Sequence, residues 1–256
     1  MLTNQPLHCL YRDEALLVVH KPAGLLVHPS AIDRHETEFA LHYARELAGQ
    51  KVFPVHRLDK PTSGLLVFAL SSQVASTLGQ AMMAREVEKQ YLAVVRGWPA
   101  EAGRIDHPLK RDPVNKQDRR EQPIQSAVSD YQRLAQVELP IQVDRYPSTR
   151  YALVQIQPHE GRKHQLRRHL KHLGHPILGD VKQGKGPHNR YMEHTFGRGL
   201  WLACVQMRFA HPLTGAPLCL DAPLEARFTP LLQAWGWWDD VPSAWQPRGE
   251  RLLLGK

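Results

Sequence analysis

Apolar residues recur along this chain with two periods, and each change of period marks an element. Ala15 to Val19 is an unbroken apolar run halted by Lys21-Pro22-Ala23-Gly24, the form of a strand entering a turn. Phe39, Tyr43 and Leu47 then fall on one helical line with Gly49 just beyond, which predicts a short amphipathic helix with a glycine stop. Leu65 to Leu70 predicts a buried strand. Ser71 or Ser72 follows as an N-cap for a helix whose inner stripe is Val74, Leu78 and Met82. Lys89 to Trp98, rich in Tyr and Val, predicts a further strand. So does Thr149 to Gln157, with Tyr151, Leu153 and Gln155 on one face and Ala152, Val154 and Ile156 on the other. Glu160 to Gly174 is a helix candidate, striped by Leu166, Leu170 and Leu173, stopped at Gly174 and followed by Pro176. Lys110 to Gln122 and Gln183 to Gly199 are polar and punctuated by glycine, proline or charge, so they read as loops. The tail beyond Phe228, with Trp235, Trp237 and Trp238, reads as a helix packing on the domain. Strands and helices mix without a regular strand–helix–strand alternation, so the fold class is α+β around a largely antiparallel sheet.

A length of 256 residues is ample for a hydrophobic core, and 42% hydrophobic with 23% charged residues excludes disorder of the whole chain. Lys and Arg number 33 against 25 Asp and Glu, a net charge of +8 that favours polyanionic partners. Cys9, Cys204 and Cys219 stand far apart with no CxxC pair, which argues for a reducing compartment and against disulfides or a thiolate zinc site. No signal-peptide pattern and no apolar run of membrane-spanning length is seen, so the expected location is the cytoplasm. There is no P-loop or dinucleotide fingerprint, and no nucleotide cofactor is expected. His159, His164, His169, His172 and His175 crowd one stretch, but none lies in an H-E-x-x-H arrangement, and no metal site is expected.

The sharpest local feature is His56-Arg57-Leu58-Asp59-Lys60-Pro61-Thr62-Ser63-Gly64, which runs directly into the buried Leu65–Leu70 strand. A carboxylate on a loop anchored by a core strand is held firmly yet stays within reach of a ligand. Taken alone, an acid between two cations is more often a surface ion-pair cluster.

Three further blocks change that reading. They are Asp13-Glu14 through His20-Lys21-Pro22-Ala23-Gly24-Leu25, then Lys89-Gln90-Tyr91-Leu92-Ala93-Val94-Val95-Arg96-Gly97, and then Gly161 to Arg167 with Gly174 to Asp180. With the Asp59 motif and Phe209 to Pro212, they resemble in order the RluA-type pseudouridine synthases. The resemblance implies a pseudouridine synthase fold, a single catalytic domain over 1–256 with no N-terminal S4-like domain, and a C-terminal extension over 229–256. Asp33 to Thr37, Lys163 and the run Arg167 to Leu170 resemble the branch that acts on tRNA at uridine 65, at the base of the T stem. A ribosomal RNA synthase of the same family and a non-catalytic RNA-binding protein are the alternatives. A monomer is the default state.

Pseudouridylation breaks the N1–C1′ bond, turns the base and joins C5 to C1′, with no change in the atoms present, so the resemblance implies no cofactor. Asp59 is implied as the catalytic carboxylate, attacking C1′, stabilising a cationic sugar or removing the C2′ proton. Arg167 would pair with it and keep it ionised, and Tyr91 would stack on the uracil. Arg57 would fill the gap left by the flipped nucleotide, with His56 beside it. Arg162, Lys163, Arg168 and Lys171 form a basic patch for the phosphates of an RNA stem, and Lys110, Arg111, Lys116, Arg119 and Arg120 form a second. Two departures stand out: Ala203 where the family usually carries His, and Val181-Lys182-Gln183-Gly184 where relatives often have Tyr or His before the glycine.

Overall fold

The structure, a computed structural model, describes residues 7–29, 35–111 and 122–248. Asp33 and Arg34 of the tRNA-type match, and Lys116, Arg119 and Arg120 of the second basic patch, lie outside the described residues. The chain divides into two compact units, Met1–Tyr91 with Leu202–Lys256, and Leu92–Trp201.

The first unit opens with β1 (His8–Arg12) antiparallel to β2 (Leu16–Lys21). Asp13 closes the turn between them by accepting the Ala15 and Leu16 amides at 2.8 and 2.7 Å. The expected strand is present, buried from Leu16 to Val19, and it continues through Lys21. α1 (Ala40–Ala48) ends at Gly49 in the left-handed region, φ 70°, where glycine alone carries no side-chain penalty. Its most buried line is Ala40, Ala44 and Ala48, one position round from the line expected, and the larger Tyr43 and Leu47 flank it. Small residues on that line let the helix sit close to β2.

β3 (Phe53–Pro54) lies antiparallel on β4 (Ser63–Ala69), and every residue of β4 is buried. α2 (Ser72–Met83) is capped by the Ser71 hydroxyl, which accepts from the Val74 amide at 3.2 Å. β5 (Glu88–Arg96) carries the chain into the second unit.

There the element order continues with β6 (Ala102–Asp106), β7 (Leu109–Lys110), β8 (Ile124–Gln125), β9 (Val128–Leu139) and β10 (Thr149–Pro158). Strands run in the order β5, β10, β9, β6, while β7 and β8 pair as a separate ribbon. The β9–β10 hairpin is antiparallel from Thr149 opposite Leu139 to Pro158 opposite Ser129. Its register shifts between Leu153 and Val154, where Leu134 is the extra residue on β9; β10 itself keeps its alternation, and Tyr151 through Val154 are buried on both of its faces.

α3 (Gln165–His172) starts later than the expected Glu160, because His164 takes a left-handed conformation, φ 55°, at its entry. α4 (Gly186–Phe196) occupies the Gln183–Gly199 stretch read as a loop, and that reading is corrected. Pro187 sits in the first turn, where its missing amide proton costs nothing, and His188 with Met192 make a buried stripe too narrow to show as a period.

The chain returns to the first unit as β11 (Leu202–Ala210), antiparallel to β12 (Pro217–Asp221). β11 also pairs with β4 in parallel, Ala203 opposite Ser63 and Cys204 opposite Gly64. Strand order in this unit is β1, β2, β4, β11, with β3 on β4 and β12 on β11. The His211 ring meets Asp13 at 2.9 Å, which joins the last matching block to the first. α5 (Phe228–Ala234) buries Phe228, Leu231 and Leu232, the tail helix the sequence leads one to expect. The class is α+β, mainly antiparallel, with β4 and β11 running parallel.

Candidate active site

Asp59 lies half-buried on the loop between β3 and β4, one residue after the buried Leu58. Four contacts fix that loop. The Asp59 carbonyl accepts from the Thr62 amide at 3.0 Å, closing a turn. The Lys60 carbonyl accepts from the Gly24 amide at 2.8 Å and from the Lys21 ammonium at 3.2 Å. The Lys60 side chain pairs with Glu36.

Where the loop enters β4, Gly64 holds φ 107°, and a Cβ there would lie 2.0 Å from the Cys204 carbonyl oxygen. Glycine is therefore required on steric grounds alone. Opposite, Ala203 takes the position where the family usually has His, in register with Ser63, and the buried Ser63 hydroxyl has no hydrogen-bond partner among the described residues.

Lys21 is the buried anchor beneath this loop. Its ammonium is fully enclosed and donates to the carbonyls of Pro22 and Leu25 at 2.8 Å each, besides that of Lys60. Burial lowers its pKa to about 7, against the pull of the Glu225 and Asp59 carboxylates. Glu225 in turn accepts the Ala23 amide at 2.8 Å and is gripped by Arg227 at 2.8 Å. Burial opposes the Glu225 charge, but these partners hold its pKa below the usual range.

Tyr91, on β5, is buried. Burial first, then the Cys204 thiol and the Asp59 carboxylate, push its hydroxyl well above the ordinary tyrosine range. Cys204 is pushed up to about 12, also by burial first. Both groups stay protonated at neutral pH, so Tyr91 offers a ring face and a neutral hydroxyl rather than a phenolate base. His56 accepts the Val67 amide at 3.2 Å, and burial, with help from the charge of Lys89, lowers its pKa to about 3. It is a neutral ring that braces the loop against β4. Arg57 is exposed beside it. The first unit thus brings Asp59, Tyr91, His56 and Arg57 together in one neighbourhood.

The remaining candidates lie in the second unit. Arg167 is buried, and its Nε and Nη2 fork the Asp180 carboxylate at 2.7 and 2.8 Å. Asp180 also accepts the amides of Lys182 and Gln183 at 2.9 and 3.0 Å. Burial opposes its charge, but Arg167 and these amides hold its pKa below the usual range. The fork fixes the plane of the guanidinium. Arg162 donates to the Ser126 carbonyl at 3.2 Å, and Arg168 to the Lys110 carbonyl at 2.9 Å. Arg168 therefore ties α3 to β7, and Arg162 ties the turn before α3 to the residue just past β8. Lys163 and Lys171 are exposed, and with Lys110 and Arg111 they complete a basic face.

Lys21, Glu225, Cys204 and Asp180 carry this architecture without being singled out by sequence. Only Lys21 and Asp180 had a signal, since each lies inside a matching block. Among the described residues, no group of three or more His, Cys, Asp or Glu could hold a metal ion. No helix among them is long and apolar enough to cross a membrane.

The sequence profile of the RNA pseudouridylate synthase family matches residues 15–172. A Vibrio cholerae protein named tRNA pseudouridine synthase C is 49% identical over 242 residues, covering 92% of this chain and 98% of its own. A Pasteurella multocida protein of the same name is 47% identical over 235 residues, 90% of this chain and 97% of its own. Among solved structures, human RNA Pseudouridylate Synthase Domain Containing 4 superposes with a TM-score of 0.67 at 29% identity, over 90% of this chain and 93% of that one.

Proposed function

The chain belongs to the RNA pseudouridylate synthase family, and from that premise we propose that it isomerises uridine 65 of tRNA to pseudouridine with Asp59 as the catalytic carboxylate. The observation that carries the reading is the setting of Asp59. Its loop is clamped on one side by Lys21 and Gly24 and on the other by the Gly64–Cys204 contact, and its charge acts on the Tyr91 hydroxyl.

A fixed carboxylate suits attack at C1′, stabilisation of a cationic sugar, or removal of the C2′ proton. Tyr91, kept neutral, stacks on the uracil and helps relay the proton that C5 loses and N1 gains. Arg167, its plane set by Asp180, is assigned by the family resemblance as the partner of the Asp59 carboxylate. Arg57 fills the space of the flipped nucleotide, and His56 holds Arg57's loop in place. Arg162, Lys163, Arg168 and Lys171 meet the phosphates of the stem. Isomerisation conserves every atom, so this chemistry calls for no cofactor. The enzyme acts as a monomer in the cytoplasm.

The substrate class is supported by the names of relatives matched over nearly their full length. Position 65 rests on the resemblance carried by Asp33 to Thr37, Lys163 and the Arg167–Leu170 run. Unmodified tRNA and ribosomal RNA transcripts incubated with the protein, then mapped for pseudouridine by carbodiimide labelling and primer extension, test it. One new stop at tRNA position 65 is expected. A stop elsewhere in tRNA, or in ribosomal RNA only, overturns the substrate and keeps the chemistry.

A further inference from the structure

The second unit holds a pocket of about 320 Å³ where the turn of the β9–β10 hairpin meets the end of β5 and the start of α4. No residue lining it belongs to the unit that carries Asp59. Its volume falls in the range of small-ligand sites.

The charged groups around it are unevenly satisfied. Arg150 stacks at 4.4 Å over the Trp98 ring and is tied to Glu138 at 3.2 Å, so its guanidinium is anchored. Arg96 is half-buried, and among the described residues no carboxylate pairs with its guanidinium. Its charge falls instead on two aromatic side chains. His188 is pushed down to about 4, by burial first and then by Arg96, and its Nδ1 lies 3.0 Å from the Tyr151 hydroxyl. Burial raises the Tyr151 hydroxyl, and Arg96 opposes that rise. The pocket therefore contains a partly desolvated cation beside one neutral polar ring, His188, which the buried Tyr151 hydroxyl backs from behind the lining. Asp144 supplies a single carboxylate to the lining, and Tyr146, 53% exposed, supplies a ring at the mouth.

A guanidinium taken partly out of water without an acid partner is unfavourable unless an anion completes it. Its planar fork fits a tetrahedral oxyanion with two parallel hydrogen bonds. We propose that this pocket binds a phosphate group through Arg96, and that the phosphate is one of the RNA backbone. The source of the phosphate rests on the RNA-modifying reading above, but its chemistry does not. Asp144 works against the anion and keeps affinity for a free phosphate low.

Two arms test this. In the first, the full chain is titrated with inorganic phosphate while the His188 ring resonances are followed by NMR. Saturable shifts are expected for the wild type, loss of them in Arg96→Gln, partial return in Arg96→Lys, and saturation at lower phosphate in Asp144→Asn. In the second, turnover on tRNA is measured across a salt series. Arg96→Gln is expected to raise KM by about tenfold at unchanged kcat and to reduce the slope of log affinity against log salt by about one, while Asp144→Asn lowers KM.

No phosphate-dependent shift at His188 together with an unchanged salt slope overturns the site. A phosphate shift with unaltered KM and slope for RNA overturns the backbone source. An Asp144→Asn variant that binds RNA more weakly overturns the phosphate chemistry, because that carboxylate would then be receiving a donor. Absence of pseudouridine with the wild type defeats the enzymatic reading instead, and the NMR arm still decides the pocket.

Discussion

Gly64 shows how one residue governs the placement of the Asp59 loop. With φ at 107° and the Cys204 carbonyl 2.0 Å from any added Cβ, Gly64→Ala forces β4 and β11 apart just past the loop. A loss of about 2–4 kcal/mol is expected, read as a lower denaturant midpoint, since backbone strain and a steric clash add. Lys21 makes a different demand. Its folded pKa of about 7 lies below the ordinary 10.5. Between those values the unfolded chain binds the extra proton, so stability from this group rises with pH, by up to about 1.4 kcal/mol per unit. Below pH 7 Lys21 is charged in both states and the full desolvation cost stands. Urea unfolding of the wild type from pH 7 to 9.5 should show this rise, and Lys21→Met should remove it while lowering stability at pH 9.5. A slope that Lys21→Met leaves unaltered contradicts the buried-ammonium account. Asp59 was legible because nine residues around it form a recognisable string. The anchoring role of Lys21 was not, since a Lys before Pro-Ala-Gly reads as an ordinary turn even inside a matching block. Its burial follows only from the pairing of β2 with β4.

At the level of elements, apolar runs and caps spoke plainly and mixed faces did not. β4 and the Ser71 cap were legible because a continuous apolar run and a hydroxyl before it leave few alternatives. Ser71→Ala is expected to cost about 1 kcal/mol, measured by thermal unfolding. β9 escaped notice, as its residues alternate only loosely between half-buried and exposed, and α4 was hidden because only His188 and Met192 are buried in it. α3 was legible as a helix, but the use of the cations on it and just before it was not. Arg162 and Arg168 spend hydrogen bonds on the carbonyls of Ser126 and Lys110, and Arg167 is locked to Asp180. A buried pair broken from one side leaves an uncompensated charge, worth about 3–5 kcal/mol. Asp180→Ala should therefore lower the unfolding midpoint markedly. At temperatures where it remains folded, it should also lower kcat more than it raises KM, because Arg167 loses its alignment. A variant with normal kcat would show that the fork serves stability alone.

Over the whole molecule, the proposed function has the net charge of +8 and the cations on and around α3 gather the substrate. Turnover at subsaturating tRNA should fall steeply between 50 and 200 mM salt, and kcat should change little, because phosphate contacts release counterions and the bond changes at the sugar do not. The α+β class and the family were both readable from ordered motifs. The division into two units was not, since the chain crosses between them inside β5 and again just before β11, without any linker composition to mark the places. The most direct test of the role given to Asp59 is single-turnover conversion of unmodified tRNA by wild type and by Asp59→Asn, with RNA affinity measured alongside. The expected result is a fall in rate of at least about 1,000-fold, roughly 4 kcal/mol in the barrier, at an affinity within a few-fold of wild type. An Asp59→Asn protein that still forms pseudouridine at a comparable rate would contradict it.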